Sequence, residues 1–112
     1  MSTINKQLTD KVVITFLNAA TANITTDAFP IPTGTHTLEA FITGTDTVSA
    51  TVNVYGCNTK RNTGGVLLAT INLSGINTDG AGSVLNSNWG FMYAILSTVI
   101  GTNAAVTVTL GV

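Results

Sequence analysis

Apolar and polar positions alternate with a period of two along most of this chain, which is the signature of pleated strands with one face on a core. The alternation starts at Lys11. In KVVITFLN, Val12, Ile14 and Phe16 point one way, with Val13, Thr15 and Leu17 on the other. A turn-rich stretch follows from Ala19, and Phe29-Pro-Ile-Pro32 imposes an extended, non-helical path. Beyond Gly34, Leu38, Ala40 and Ile42 share a face, and Gly44-Thr-Asp46 supplies a turn. Val48, Ala50, Val52 and Val54 then point inward, with Thr47, Ser49, Thr51 and Asn53 outward. After the hairpin connection CNTKRNTGG, Leu67, Ala69, Ile71 and Leu73 form the next inward set.

GINTDGAGSVLNSN has the Gly and Asn content of a second long loop, with room for a short strand at Val84 and Leu85. GFMYAILSTVI is apolar on both faces, so it should be a central strand or one covered by a partner. In the last stretch Ala104, Val106, Val108, Leu110 and Val112 share one face. Turn signals every 8 to 12 residues predict an all-β, single-domain antiparallel β-sandwich or jelly roll of about seven to eight strands. Its expected limits are residues 11–112, preceded by a polar arm over 1–10 in which Ile4 and Leu8 stand alone. That arm could order on a neighbouring subunit.

Composition sharpens the picture. Hydrophobic residues make up 45 % of the 112, but charged residues only 8 %, against roughly 25 % in an ordinary soluble domain. Threonine, about a fifth of the chain, suits a half-buried pleated surface. The formal net charge of −1 offers no electrostatic attraction to nucleic acid or an anionic membrane. No apolar run reaches spanning length and no leader pattern opens the chain, so synthesis in the cytoplasm is expected. A surface this neutral lacks self-repulsion, and its strand edges lack the lysines that usually guard them. Burial of those edges against other chains, including copies of this one, is the expected consequence.

Candidate chemistry is sparse. His36 is the single histidine and Cys57 the single cysteine, which excludes an intramolecular disulfide and a multi-histidine or multi-cysteine metal site. A Cys57–His36 pair or a Ser–His36–Asp46 triad could form only through the fold. A half-exposed histidine at a strand start and an inert small cysteine are the preferred readings. Asp10, Asp27, Glu39, Asp46 and Asp79 are scattered, mostly in turns, where aspartates satisfy local N–H groups. Asp79 with Asn77 lacks calcium-loop spacing, and the Gly64-Gly65 and Gly80-Ala-Gly82 stretches lack a phosphate loop's Lys-Ser/Thr. No catalytic residue, metal site or cofactor is therefore expected, and no small-molecule ligand. Trp89, Phe91 and Tyr93 alternate along one stretch, which suits core or interface better than a sugar-stacking platform.

The segments Val52-Asn-Val-Tyr-Gly-Cys-Asn58, Leu67-Leu-Ala-Thr-Ile-Asn-Leu-Ser-Gly75, Trp89 through Tyr93 and Gly101-Thr-Asn-Ala-Ala-Val-Thr-Val-Thr109 resemble small β-sandwich virion proteins of tailed bacteriophages. In size and style the chain is similar to the decoration, or cement, proteins of phage heads. The resemblance covers the C-terminal half; residues 1–45, Cys57 and the Lys60-Arg61 loop match no pattern within it. It implies a jelly-roll subunit seated at junctions of the major capsid protein, or against other virion subunits, as a homo-oligomer within the virion. On that view Ile4, Leu8, Lys60, Arg61, Trp89, Phe91 and Tyr93 are interface residues. A tail or neck subunit and a carbohydrate-binding jelly-roll module are the alternatives.

Overall fold

The computed structural model describes residues 12–112; the expected arm over 1–10, with Ile4 and Leu8, lies outside the described residues. Six strands follow in order: β1 (Val13–Ala20), β2 (Ile24–Thr25), β3 (Phe29–Pro30), β4 (Gly34–Cys57), β5 (Val66–Ser87) and β6 (Phe91–Gly111). All pairings are antiparallel. The sheet order is β1-β6-β4-β5, with β2 and β3 also added to β6. The doubly apolar GFMYAILSTVI stretch is thus central, flanked by β4 on one side and by β2 and β3 on the other.

Three of the strands are too long to be straight. Twenty-four extended residues would span about 79 Å, whereas the greatest extent of the molecule is 44 Å. Each long strand therefore bends, and the bends lie side by side. At this point β4 shifts register against both neighbours, between Thr43 and Thr47 toward β5 and between Thr43 and Ser49 toward β6. Asp46, Asn77 and Asn103 take left-handed conformations, and Gly101 has φ +130°. Asp and Asn are the non-glycine residues that best tolerate this region. At this crease Asp46 N–H donates to Asn77 Oδ1 at 2.8 Å and Ser74 N–H to Asp79 Oδ2 at 2.8 Å.

The crease folds one long sheet into a β-sandwich. The first layer holds residues 34–43, 78–87 and 105–111 with β1; the second holds residues 47–57, 66–76 and 91–100 with β2 and β3. Even-numbered residues of β4 face inward on both sides of the crease. Ile42, Val48, Val52 and Val54 are fully buried, as are Val106, Val108 and Leu110 of β6 and its Met92, Ala94 and Leu96. These side chains form one continuous cluster, whose transfer from water at roughly 25 cal/mol per Å² is the main stabilising term.

Two expectations change. The Gly44–Asp46 turn does not end a strand, and the Gly/Asn-rich stretch expected as a second long loop lies inside β5 as far as Ser87. In both places turn-type residues redirect a strand without reversing it. Counting the two halves of each bent strand, with β1, β2 and β3, gives nine segments against the seven to eight expected, and two of the nine, β2 and β3, are only two residues long.

Candidate functional site

At the end opposite the crease, the hairpin loop 58–65 joins β4 to β5 and folds over the outer face of the second layer. Tyr55 and Tyr93 stack there at 5.1 Å with their rings 12° apart. Tyr93 packs with Cys57 and Ala28 in a small second cluster. The loop is fastened down at several points. Gly65 N–H donates to Tyr93 Oη at 2.9 Å, and Asn62 Nδ2 donates to the Thr26 carbonyl at 3.1 Å. Thr26 is itself locked to β6 through Ala94, by N–H to carbonyl at 2.9 Å and by Ala94 N–H to Thr26 Oγ1 at 3.0 Å.

Arg61 and Lys60 play different parts in this loop. The Arg61 guanidinium donates inward to Thr59 Oγ1, the Thr63 carbonyl and the Gly64 carbonyl, so it braces the loop. Lys60 makes no such bond and is exposed. With Asp27, Ala28, Phe29 and Pro30, the loop encloses an open groove of about 570 Å³. Lys60 and Arg61 are the only lysine and arginine among the described residues, so one end of the sandwich carries all of that cationic charge.

Trp89 departs from the expected aromatic stripe. Phe91 and Tyr93 lie on the outer face of β6, but Trp89 precedes the strand and covers Gly56 on the inward side. A Cβ built on Gly56 would stand 2.6 Å from the indole Cγ. Trp89 therefore caps the open end of the core, and with Asn58 and Asn88 it lines a shallower hollow of about 230 Å³. The three aromatics thus split between outer surface and core cap, and a single flat sugar platform is not formed.

The remaining candidates are kept apart. His36 is 2 % exposed, not half-exposed as its place at a strand start suggested, and neither ring nitrogen has a hydrogen-bond partner. A triad needs an imidazole oriented by a carboxylate; His36 has none, and Asp46 sits at the far crease. Cys57 is buried in the outer cluster with Sγ 3.8 Å from the Arg61 carbonyl, on the face of β4 that His36 does not share. Asn77 and Asp79 have oxygens occupied by backbone donors. Among the described residues no group of three or more His, Cys, Asp or Glu side chains converges as a metal site.

Sequence reasoning missed Asp27, Asn58, Asn62 and Asn88 as surroundings of this end. They sit in loops whose polar residues look alike in one dimension; the Pro30-flanked segment was the only hint that residues 27–30 would be held rigidly.

No protein-family profile and no curated protein matches the sequence. Solved structures do. The chain is similar to the SPBc2 prophage-derived protein YomS, at 18 % identity, over 91 % of this chain and 92 % of that one, with a TM-score of 0.56. Weaker likenesses include a CBM4 structure (12 % identity, 91 % and 80 % covered, TM-score 0.46) and the VP2 subviral particle of infectious bursal disease virus (8 % identity, 91 % and 32 % covered, TM-score 0.45). At these identities the first likeness establishes a shared all-β fold.

Proposed function

We propose that this chain is a non-enzymatic virion structural subunit, most specifically a capsid decoration protein that stabilises a phage shell by binding at junctions between major capsid subunits. The observation that carries this reading is the combination of a nearly uncharged surface with a contact loop held rigid by internal bonds. Loop 58–65 is ordered before any partner arrives, so docking would lose little conformational entropy. Its free Lys60 and the neighbouring groove offer a defined contact, and weak contacts multiply by copy number on a shell. The prophage origin of YomS supports a phage setting. Tail or neck placement would use the same surfaces, and the arm over 1–10 with Ile4 and Leu8 is proposed as a further contact.

The test is co-sedimentation of the purified chain with shells of the phage that carries its reading frame, after the native decoration has been removed. Saturable binding with a fixed stoichiometry, and shells more resistant to heat, are expected. Shells that never bind it sink the decoration role.

The hollow at Trp89, Asn58 and Asn88 favours one second reading, a carbohydrate-binding module, because an indole beside two amides combines an apolar contact with hydrogen-bonding groups for a sugar ring. Glycan-array binding abolished in Trp89→Ala, by a protein still folded, would select it.

A further inference from the structure

The two edges of the sheet are built differently. One edge is the N-terminal run, broken into β1, β2 and β3, with register shifts after Thr15 and Leu17. It also has Ala19 at φ +53° and Pro30 within β3. Bulges and prolines are the devices by which sheets refuse an added strand. The other edge is β5, 22 residues long. Eight successive residue pairs hold it to β4 without a shift, from Val54↔Ala69 to Thr47↔Ile76, with one shift at Leu68 just before them. Residues 66–74, VLLATINLS, contain no charge, no proline and no glycine, a composition that seeks a pairing partner when it lies on an edge. Val66, Leu67, Ile76 and Val84, four of the nine exposed large hydrophobics among the described residues, lie on β5.

The backbone of this edge is ready to pair. Ser74 N–H goes to Asp79 Oδ2, which places it on the side of β5 turned away from β4. In an antiparallel ladder such residues alternate, so Thr70 and Asn72 also present N–H and C=O outward. Their side chains are tied back to β4, through Thr70 Oγ1 to Asn53 Oδ1 at 2.8 Å and Thr51 Oγ1 to Asn72 Oδ1 at 3.1 Å. Asp79 occupies the outward donor of Ser74 and closes the edge there, so the open part of the edge is the unshifted run through Thr70 and Asn72.

We infer that residues 69–73 of β5 pair antiparallel with the same residues of a second copy, joining the second layers of two sandwiches into one continuous sheet about a two-fold axis. Self-pairing is favoured over pairing with the opposite edge, because that edge is bulged and proline-blocked. Antiparallel pairing of one segment with itself closes as a dimer. This inference rests on the homo-oligomer that the sequence leads one to expect and names the surface it uses.

The test is light-scattering mass measurement and amide hydrogen exchange on the purified chain at micromolar concentration. The wild type is expected at twice 11.5 kDa, with slow exchange at Thr70 and Asn72. Thr70→Lys/Asn72→Lys, which places like charges across the two-fold, should be monomeric with an unchanged far-ultraviolet spectrum and fast exchange at both positions. Asn72→Pro, which removes an outward N–H without touching the β4 ladder, should raise the dissociation constant at least about 100-fold. A dimer that survives both variants overturns the assignment of β5 and leaves self-assembly standing. A wild type that stays monomeric overturns self-assembly as well, while shell binding is scored separately by sedimentation.

Discussion

The two ends of the sandwich are closed by opposite means. At the crease three strands bend side by side, and the work is done by backbone conformation: left-handed Asp46, Asn77 and Asn103, and Gly101 at φ +130°. At the open end positive φ is confined to the glycines Gly34 and Gly64, and side chains provide the closure, with Trp89 over Gly56 and loop 58–65 pinned to Tyr93 and Thr26. The crease must hold its shape for the two layers to face each other at all. The open end can vary in what it presents without disturbing that arrangement. A scaffold at one end and a display surface at the other is a division suited to a binding subunit.

If this division is right, damage at the crease should cost most. Gly101→Ala places a Cβ 2.8 Å from the Thr47 carbonyl oxygen and 2.9 Å from Val48 Cγ1, at a φ that side chains rarely adopt. A loss of about 3 kcal/mol or more is expected in denaturant unfolding. Gly56→Val is the matching insult at the other end, where the new side chain must expel the indole. Here a loss of about 2 kcal/mol is expected, together with a red shift of the fluorescence of Trp89, the chain's single tryptophan. An equal cost at both ends would erase the distinction.

The sequence displays the inner face clearly and the crease poorly, for a physical reason. Alternation over Val48–Val54 and Ala104–Leu110 follows from the pleat, and burial in the structure keeps that parity. Gly-Thr-Asp at 44–46, Asn-Thr-Asp at 77–79 and Gly-Thr-Asn at 101–103 show only that the chain leaves ordinary β geometry there. Whether it then reverses or continues depends on pairing with neighbours far along the chain, which local chemistry does not encode. The display end is harder still. Trp89 falls in phase with Phe91 and Tyr93 by spacing, but it precedes β6 and swings to the inward side because Gly56 leaves room for it. The open β5 edge was legible only as missing charge, without its address.

A third substitution probes the interior of the first layer near the open end. His36 buries an imidazole with both nitrogens unpartnered, and an unmet buried polar group costs about 1–3 kcal/mol. His36→Leu should therefore raise stability by about 1 kcal/mol in urea unfolding, with the transition slope unchanged. A decrease would show that the imidazole has a partner or a packing role that an isobutyl group cannot replace.

The smallest effects separate the two cations of the display loop. Arg61 is committed to the loop itself through Thr59, Thr63 and Gly64, whereas Lys60 projects free beside the groove. Both are exposed, so neither alanine substitution should change global stability by more than about 0.5 kcal/mol. Their local consequences should differ. Arg61→Ala should speed amide exchange in residues 59–64 by releasing the carbonyls and hydroxyl that it gathers, while Lys60→Ala leaves exchange as in the wild type. In shell binding both should weaken attachment, but only Lys60→Ala should do so without loosening the loop, and the loss should shrink as salt is raised. If Arg61→Ala leaves exchange untouched, the loop is held by Tyr93 and Asn62 alone, and rigidity at the display end owes nothing to charge.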